Sequence, residues 1–125
     1  MVCEDSGAVH VHQMMVTGWI KKTIVEWECV QGEAICLRIL ATYKSQLIAI
    51  TTKPDAVAVP DNLYDVYLWD EHEADILSGD CENQPNDASK RTTFAEPIAL
   101  YGRHSLIVMN AGDESKGTVV LYTKE

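Results

Sequence analysis

The stretch that most restricts the fold is Asp61–Gly79, DNLYDVYLWDEHEADILSG. Within it Tyr64, Val66 and Leu68 alternate with Asp65, Tyr67 and Trp69, the two-residue period of a strand with one buried face. Pro60-Asp61-Asn62 delivers the chain into this strand as a loop, and Asp70-Glu71-His72-Glu73 follows it as a polar tip. Ala74–Leu77 then reads as a brief return strand, stopped by Ser78-Gly79, so the segment is expected to be a hairpin. Tyr64, Val66 and Leu68 would face a core, leaving Tyr67 and Trp69 outward.

The same kind of pattern recurs along the chain. Val9-His10-Val11-His12 alternates, so residues 9–16 read as a strand ending at a Thr17-Gly18 turn. In Trp19–Val30, WIKKTIVEWECV, residues Val25, Trp27 and Cys29 share one face and Glu26 and Glu28 the other. A helix competes there, since Ile20, Ile24 and Trp27 share a helical face, but the Val, Ile, Thr and Trp content favours a strand. After Gln31-Gly32, the runs 34–42 and 47–52 read as two buried strands, and 53–60, KPDAVAVP, as a proline-bracketed loop. Residues 80–91, DCENQPNDASKR, have the composition of a long surface loop. Pro97–Tyr101 and Ser105–Asn110 read as strands separated by a Gly102-Arg103 turn. Asn110–Asp113 and Ser115–Gly117 read as a second hairpin connection, leading into a last strand, Thr118–Thr123.

Eight or nine short strands with no helix predict an all-β antiparallel β-sandwich or small barrel, of which a sandwich of jelly-roll-like type is the expected form. The 125 residues suit a single domain, 1–125, with a loose N-terminal arm at 1–7. A chain of this length buries roughly two thirds of its unfolded surface and requires neither disulfide nor metal to fold. No signal-peptide pattern or membrane-length apolar run is present, so the chain is expected to be made in a cytoplasm with its thiols reduced. The formal net charge is −9, and the ten basic residues form no stripe, which argues against nucleic-acid binding.

The chemistry-bearing residues each have a plainer explanation. His10 and His12, two apart on a strand, are compatible with zinc only if a third ligand approaches, and no partner is identified. The acidic tip 70–75 and the stretch Asp80–Asp87 lack the ligand spacing of a helix-loop-helix calcium site. Nineteen acidic residues make carboxylate pairs inevitable, but nothing sets two of them across a glycosidase cleft. His104 and Ser105 are adjacent and so point to opposite strand faces; Cys29 and Cys36 lie in apolar runs and read as core thiols. No catalytic, cofactor or metal residues are therefore assigned, and the chain is expected not to be an enzyme. Tyr67 and Trp69, together with Asn83, Pro85 and Asn86 of the 80–91 loop, are the candidate partner-contact residues.

The run Asp61, Asn62, Tyr64, Asp65, Val66, the acidic pair Asp70-Glu71, Asp75-Ile76-Leu77 with Gly79, the Asn110-Ala111-Gly112 turn and the terminal Gly117–Tyr122 together resemble small virion structural proteins of tailed bacteriophages. The likeness covers roughly the C-terminal half. It departs from the pattern at His72-Glu73, where such relatives carry a glycine. The resemblance implies a non-enzymatic capsid cement or decoration protein, binding the outer surface of the major capsid protein shell and stabilising it. It implies partners in the major capsid protein and in the chain itself, as a homodimer or homotrimer, and a place on the capsid exterior of the virion. The alternatives are a tail or head-to-tail component and a carbohydrate-binding β-sandwich module, in which the outward aromatics would stack on sugar rings.

Overall fold

The computed structural model describes residues 8–17, 20–29 and 35–124, with side chains described for 20–29, 36 and 45–124. The described chain is all-β: β1 (Ala8–Thr17), β2 (Ile20–Cys29), β3 (Ile35–Pro54), β4 (Asp65–Trp69), β5 (Lys90–Met109) and β6 (Ser115–Lys124). All pairings are antiparallel, in one sheet of order β1-β2-β6-β3-β5-β4. No described helix is long and apolar enough to cross a membrane.

Two of these strands are 20 residues long. Drawn straight, each would span roughly 65 Å, against a radius of gyration of about 14 Å for a domain of this size. Both must bend, and the ladder shows where. The β3–β5 register shifts between Ala41 and Ser45 and again between Leu47 and Ala49. Gly102, opposite Ala41, adopts a positive φ of 73°, a conformation that a side chain disfavours and that sharpens a strand's bend.

The bends divide the sheet into two limbs. The first joins β3 from Ile35 to Ala41, β5 from Gly102 to Val108, and β4. The second runs β1-β2-β6 and continues into β3 from Gln46 and the first half of β5. The limbs face each other. Val66, Leu68, Leu106 and Val108 of the first share one buried cluster with Val25, Trp27, Val119 and Leu121 of the second. Trp27 and Tyr64, which adjoins β4, lie far apart in the strand order, yet their rings approach to 5.8 Å between centroids at 55°, within the range of favourable tilted aromatic pairs.

Local sequence accounts for the elements that were expected as strands. In β2 the buried residues are Thr23, Val25, Trp27 and Cys29, alternating with Ile24, Glu26 and Glu28, so the strand reading of Trp19–Val30 holds over Ile20–Cys29 and the helix does not. In β6 Ser115, Gly117, Val119, Leu121 and Thr123 are buried. Gly117 pairs with Trp27 across the ladder. A Cβ on Gly117 would collide with the Trp27 ring and come within 3.1 Å of the Lys53 carbonyl oxygen. Glycine is what lets the indole lie flat across β6 and reach Tyr64.

The strand count is six among the described residues, where eight or nine were expected. Runs 34–42 and 47–52 belong to the single strand β3, and 97–101 and 105–110 to β5. Gly102-Arg103 is a bend inside β5, because pairing with β3 resumes on both sides of it. The connection at 110–114 is not a hairpin, since β5 and β6 lie on opposite edges of β3; it carries the chain from one limb to the other. The 53–60 loop is present from Asp55 onward, with Pro54 as the last residue of β3. The expected arm at 1–7 and the turns at Thr17-Gly18 and Gln31-Gly32 lie wholly or partly outside the described residues. Cys36 is disulfide-bonded, which corrects the expectation of reduced thiols throughout.

Replacing Gly117 by Ala forces either the Trp27 ring or the β3 carbonyl to move. Gly117→Ala is expected to lose about 2 kcal/mol of unfolding free energy, measured by chemical denaturation.

Candidate contact surface

The Asp61–Gly79 segment forms one real strand, β4, but not the expected hairpin. Ala74–Leu77 is not a partner strand; a single bridge joins Trp69 to Asp75 and the rest is turns. The ladder partner of β4 is β5, in a register that sets Tyr67 beside Ile107 and Trp69 beside Ser105. The acidic tip closes by local chemistry. Asp70 Oδ1 accepts the amides of His72 (2.8 Å) and Ala74 (3.0 Å). These two bonds, Ala74 first, hold the Asp70 carboxyl below its ordinary range. The glycine-free turn at His72-Glu73 is accommodated by a positive φ of 61° at Glu73.

Asp75 organises the next turn. Its Oδ1 accepts from the amides of Leu68 (3.1 Å) and Leu77 (3.2 Å), and its Oδ2 from Gly79 (2.9 Å). Further along, Ile76 N donates to Leu68 O, Val66 N to Cys81 O and Gln84 N to Tyr64 O. Residues 75–84 thus cover the outer edge of β4 without forming a strand, satisfying the backbone groups that an exposed edge would leave open. The 80–91 stretch is accordingly not a free loop. Cys81 and Gln84 are each 1% exposed, Thr52 Oγ1 donates to Gln84 Oε1 at 2.6 Å, and Lys90 and Arg91 already belong to β5.

The expected contact residues fall into separate places. Tyr67 and Trp69 stand opposite the buried Val66 and Leu68 and are half-buried. Burial first, then the carboxylates of Asp65, Glu82 and Asp75, push the Tyr67 phenol up. Ile107, next to Tyr67, is fully buried, and Cys36 beyond it nearly so. Asn83 is exposed, with its amide bound to Asp65 Oδ1 at 2.9 Å. Pro85 and Asn86 are half-buried, and Asn86 Nδ2 donates to Pro60 O at 3.0 Å. That last bond ties the two loops together. Between them lies a groove of about 500 Å³ bordered by Lys53–Ala56 and Val59 on one side and Asn86–Ser89 on the other.

The loop carrying the groove's first wall is held rigidly. Asp55 Oδ2 accepts the amides of Val57 (3.1 Å) and Ala58 (2.7 Å), which depress the Asp55 carboxyl, Ala58 first. Asp55 N donates to Lys116 O and Lys116 N to Ala58 O. The depressed carboxyls of Asp55 and Asp70 support the fold above their ordinary value of 3.8, and that support is lost as pH falls through their lower folded values. At the tip Val57 is 94% exposed. The sequence marks 53–60 as a loop without singling out Val57; the available signal was an aliphatic residue two positions after an Asx-type turn residue, Asp55.

Among the described residues no group of three or more His, Cys, Asp or Glu is placed to hold a metal ion. His104 is buried and Ser105 half-buried on the other face. Cys29 lies in the core cluster, as does Cys81. Burial raises the Cys81 thiol to about 11 from an ordinary 9.0. No protein-family model matches the chain, and no curated protein matches it either.

Two outcomes are expected. Asp75→Ala strands the amides of Leu68, Leu77 and Gly79 and should lower stability by about 2 kcal/mol in urea titration. The Cys81 contribution is complete below pH 9.0 and is lost as pH rises towards about 11; that alkaline component of the stability curve should be absent in Cys81→Ser.

Proposed function

We propose that this chain is a non-enzymatic structural protein of a tailed-phage virion, a capsid cement or decoration protein that binds the outer surface of the major capsid protein. The supporting observation is where the residues of the resemblance lie. Asp61 N donates to Ala111 O at 2.8 Å, and the Asp61 carboxylate covers Gly112, which has a positive φ of 85°. Asp65 Oδ2 accepts from Asn110 Nδ2 at 2.7 Å. The 61–66 and 110–112 motifs, far apart in sequence, therefore form one knot at the corner where the chain changes limbs. Tyr64 and Val66 are buried beneath it. Asp75 and Gly79 make the cap over β4, and Gly117–Tyr122 forms most of β6.

A pattern of this kind serves a rigid small scaffold rather than a reaction. The outward features are then the working parts: the Val57 loop, the groove beside Asn86, and Tyr67 with Trp69. The proposal extends to a jelly-roll-like sandwich, in which counting β3 and β5 once in each limb turns six strands into eight segments. It also includes self-association and a place on the capsid exterior. An acidic exterior suits a protein that must stay off packaged DNA and keep particles apart.

The test is made on particles that contain the chain. Stripping it with mild chaotrope and adding it back should restore the heat resistance of the shell, and Val57→Asp or Trp69→Ala should weaken rebinding at least about tenfold, on the scale of an interface anchor. A shell equally stable to heat with and without the protein overturns the cement role. Saturable polysaccharide binding abolished by Trp69→Ala overturns it in favour of the sugar-binding alternative.

A further inference from the structure

The first limb is buried on both of its faces. In β5 Leu106, Ile107 and Val108 are each at most 2% exposed, although successive strand residues point to opposite sides. Leu106 and Val108 belong to the cluster between the limbs, and Ile107 does not. The ladder neighbours of Ile107 are Tyr67 on β4 and Cys36 on β3, so these three form a row across the limb's outer face. Ile107 is 0% exposed and Cys36 5%. Neighbours within a sheet flank a side chain but do not close it from above, so a further layer lies on this row.

Cys36 indicates which segment supplies that layer. It is disulfide-bonded within one chain, so its partner is one of the other three cysteines, Cys3, Cys29 or Cys81. Cys29 and Cys81 belong to the inter-limb cluster, on the inner side of the first limb, and both are thiols, which leaves Cys3. The path of the chain agrees. Ala8 opens β1 opposite Glu28, next to Cys29, where β2 ends, and β3 starts soon after at Ile35. Cys3 and Cys36 are therefore both reached from the same end of the β1–β2 ladder, and the stretch from Cys3 to Ala8 can span up to ~17 Å. Met1-Val2-Cys3 is an apolar tip, and Glu4-Asp5-Ser6-Gly7 a polar connector.

We infer that Cys3 and Cys36 are cross-linked, and that the bond lays the segment 1–7 over the outer row of the first limb as the layer that buries Ile107. Closing the bond removes one hydrogen atom from each thiol; a disulfide of the glutathione class accepts both by exchange and leaves as two thiols. Reduction reverses the step and opens the row, Tyr67 included, to solvent. The inference rests on Cys36 and the burial of Ile107, and stands whether or not the partner shell is the one proposed above.

The unreduced full chain, unfolded in urea and alkylated, should take label at Cys29 and Cys81 and none at Cys3. Its digest should contain the Cys3 and Cys36 peptides as one linked species that a thiol reductant separates. Hydroxyl-radical footprinting of the native chain should show labelling of Tyr67 and Ile107 rising several-fold on reduction, while Trp27, between the limbs, stays protected. Cys3→Ser should reproduce that footprint and lower the folding equilibrium constant by at least about tenfold. Label on Cys3 in the unreduced chain, a link from Cys36 to Cys29 or Cys81, or copies of the chain cross-linked through Cys36 overturns the inference. So does a footprint that reduction leaves unchanged at Tyr67 and Ile107, or that rises equally at Trp27. If Cys3→Ser fails to fold by circular dichroism, the peptide map and footprint of the unaltered chain decide.

Discussion

The contact of Trp27 with Gly117 and Tyr64 is the one on which the two-limbed sheet depends. The indole crosses the ladder over a residue without a side chain and meets a phenol ring from the opposite limb. Aromatic side chains bury more apolar area than any others, and this chain has a single Phe. Closing the two limbs therefore falls to Trp27 and Tyr64, with Val, Leu and Ile filling around them. The bends in β3 and β5 and the knot between Asp61, Asp65 and the 110–112 turn hold the limbs at the distance this contact requires.

Carboxylates play an unusual part in that arrangement. Asp55, Asp65, Asp70 and Asp75 each accept hydrogen bonds from backbone amides or an asparagine side chain, and through them hold the turns from 55 to 84 in place. An aspartate does at a turn what a neighbouring strand does along an edge: it satisfies donors that burial would otherwise leave open. The same residues make segment 54–89 strongly acidic, so the requirement for turn acceptors and the polarity of the molecule have a common origin. The half-buried Tyr67 sits among these carboxylates, while Arg91 lies 4.6 Å from the Tyr122 ring centroid on the second limb.

Much of the first-order structure was legible from residue types. The period-two patterns around Val25-Trp27-Cys29 and Tyr64-Val66-Leu68 identified strands and their buried faces, and both sets are core. Tyr67 and Trp69 fall on the opposite face for the same reason. Ala74–Leu77 misled because a short apolar stretch after a polar tip looks like a returning strand, whereas Asp75 captures the amides of Leu77 and Gly79 and turns the chain instead. Residues 80–89 looked like a loose loop because polar composition does not reveal that Gln84 and Cys81 are buried anchors. The groove beside Asn86 was illegible, since it arises only when the 53–60 and 80–91 segments meet.

The sequence by itself determined the all-β character, the faces of the strands and the positions of most turns, because side-chain alternation and turn residues act over a few neighbours. Only the tertiary structure decided that Asp61–Gly79 is an edge strand with a turn-built cap, that its partner is β5, and that 34–54 and 90–109 are single bent strands. Those outcomes depend on pairing between segments tens of residues apart. A bend and a reversal draw on the same glycine, and the choice between them is made by whether a distant strand continues the ladder on both sides.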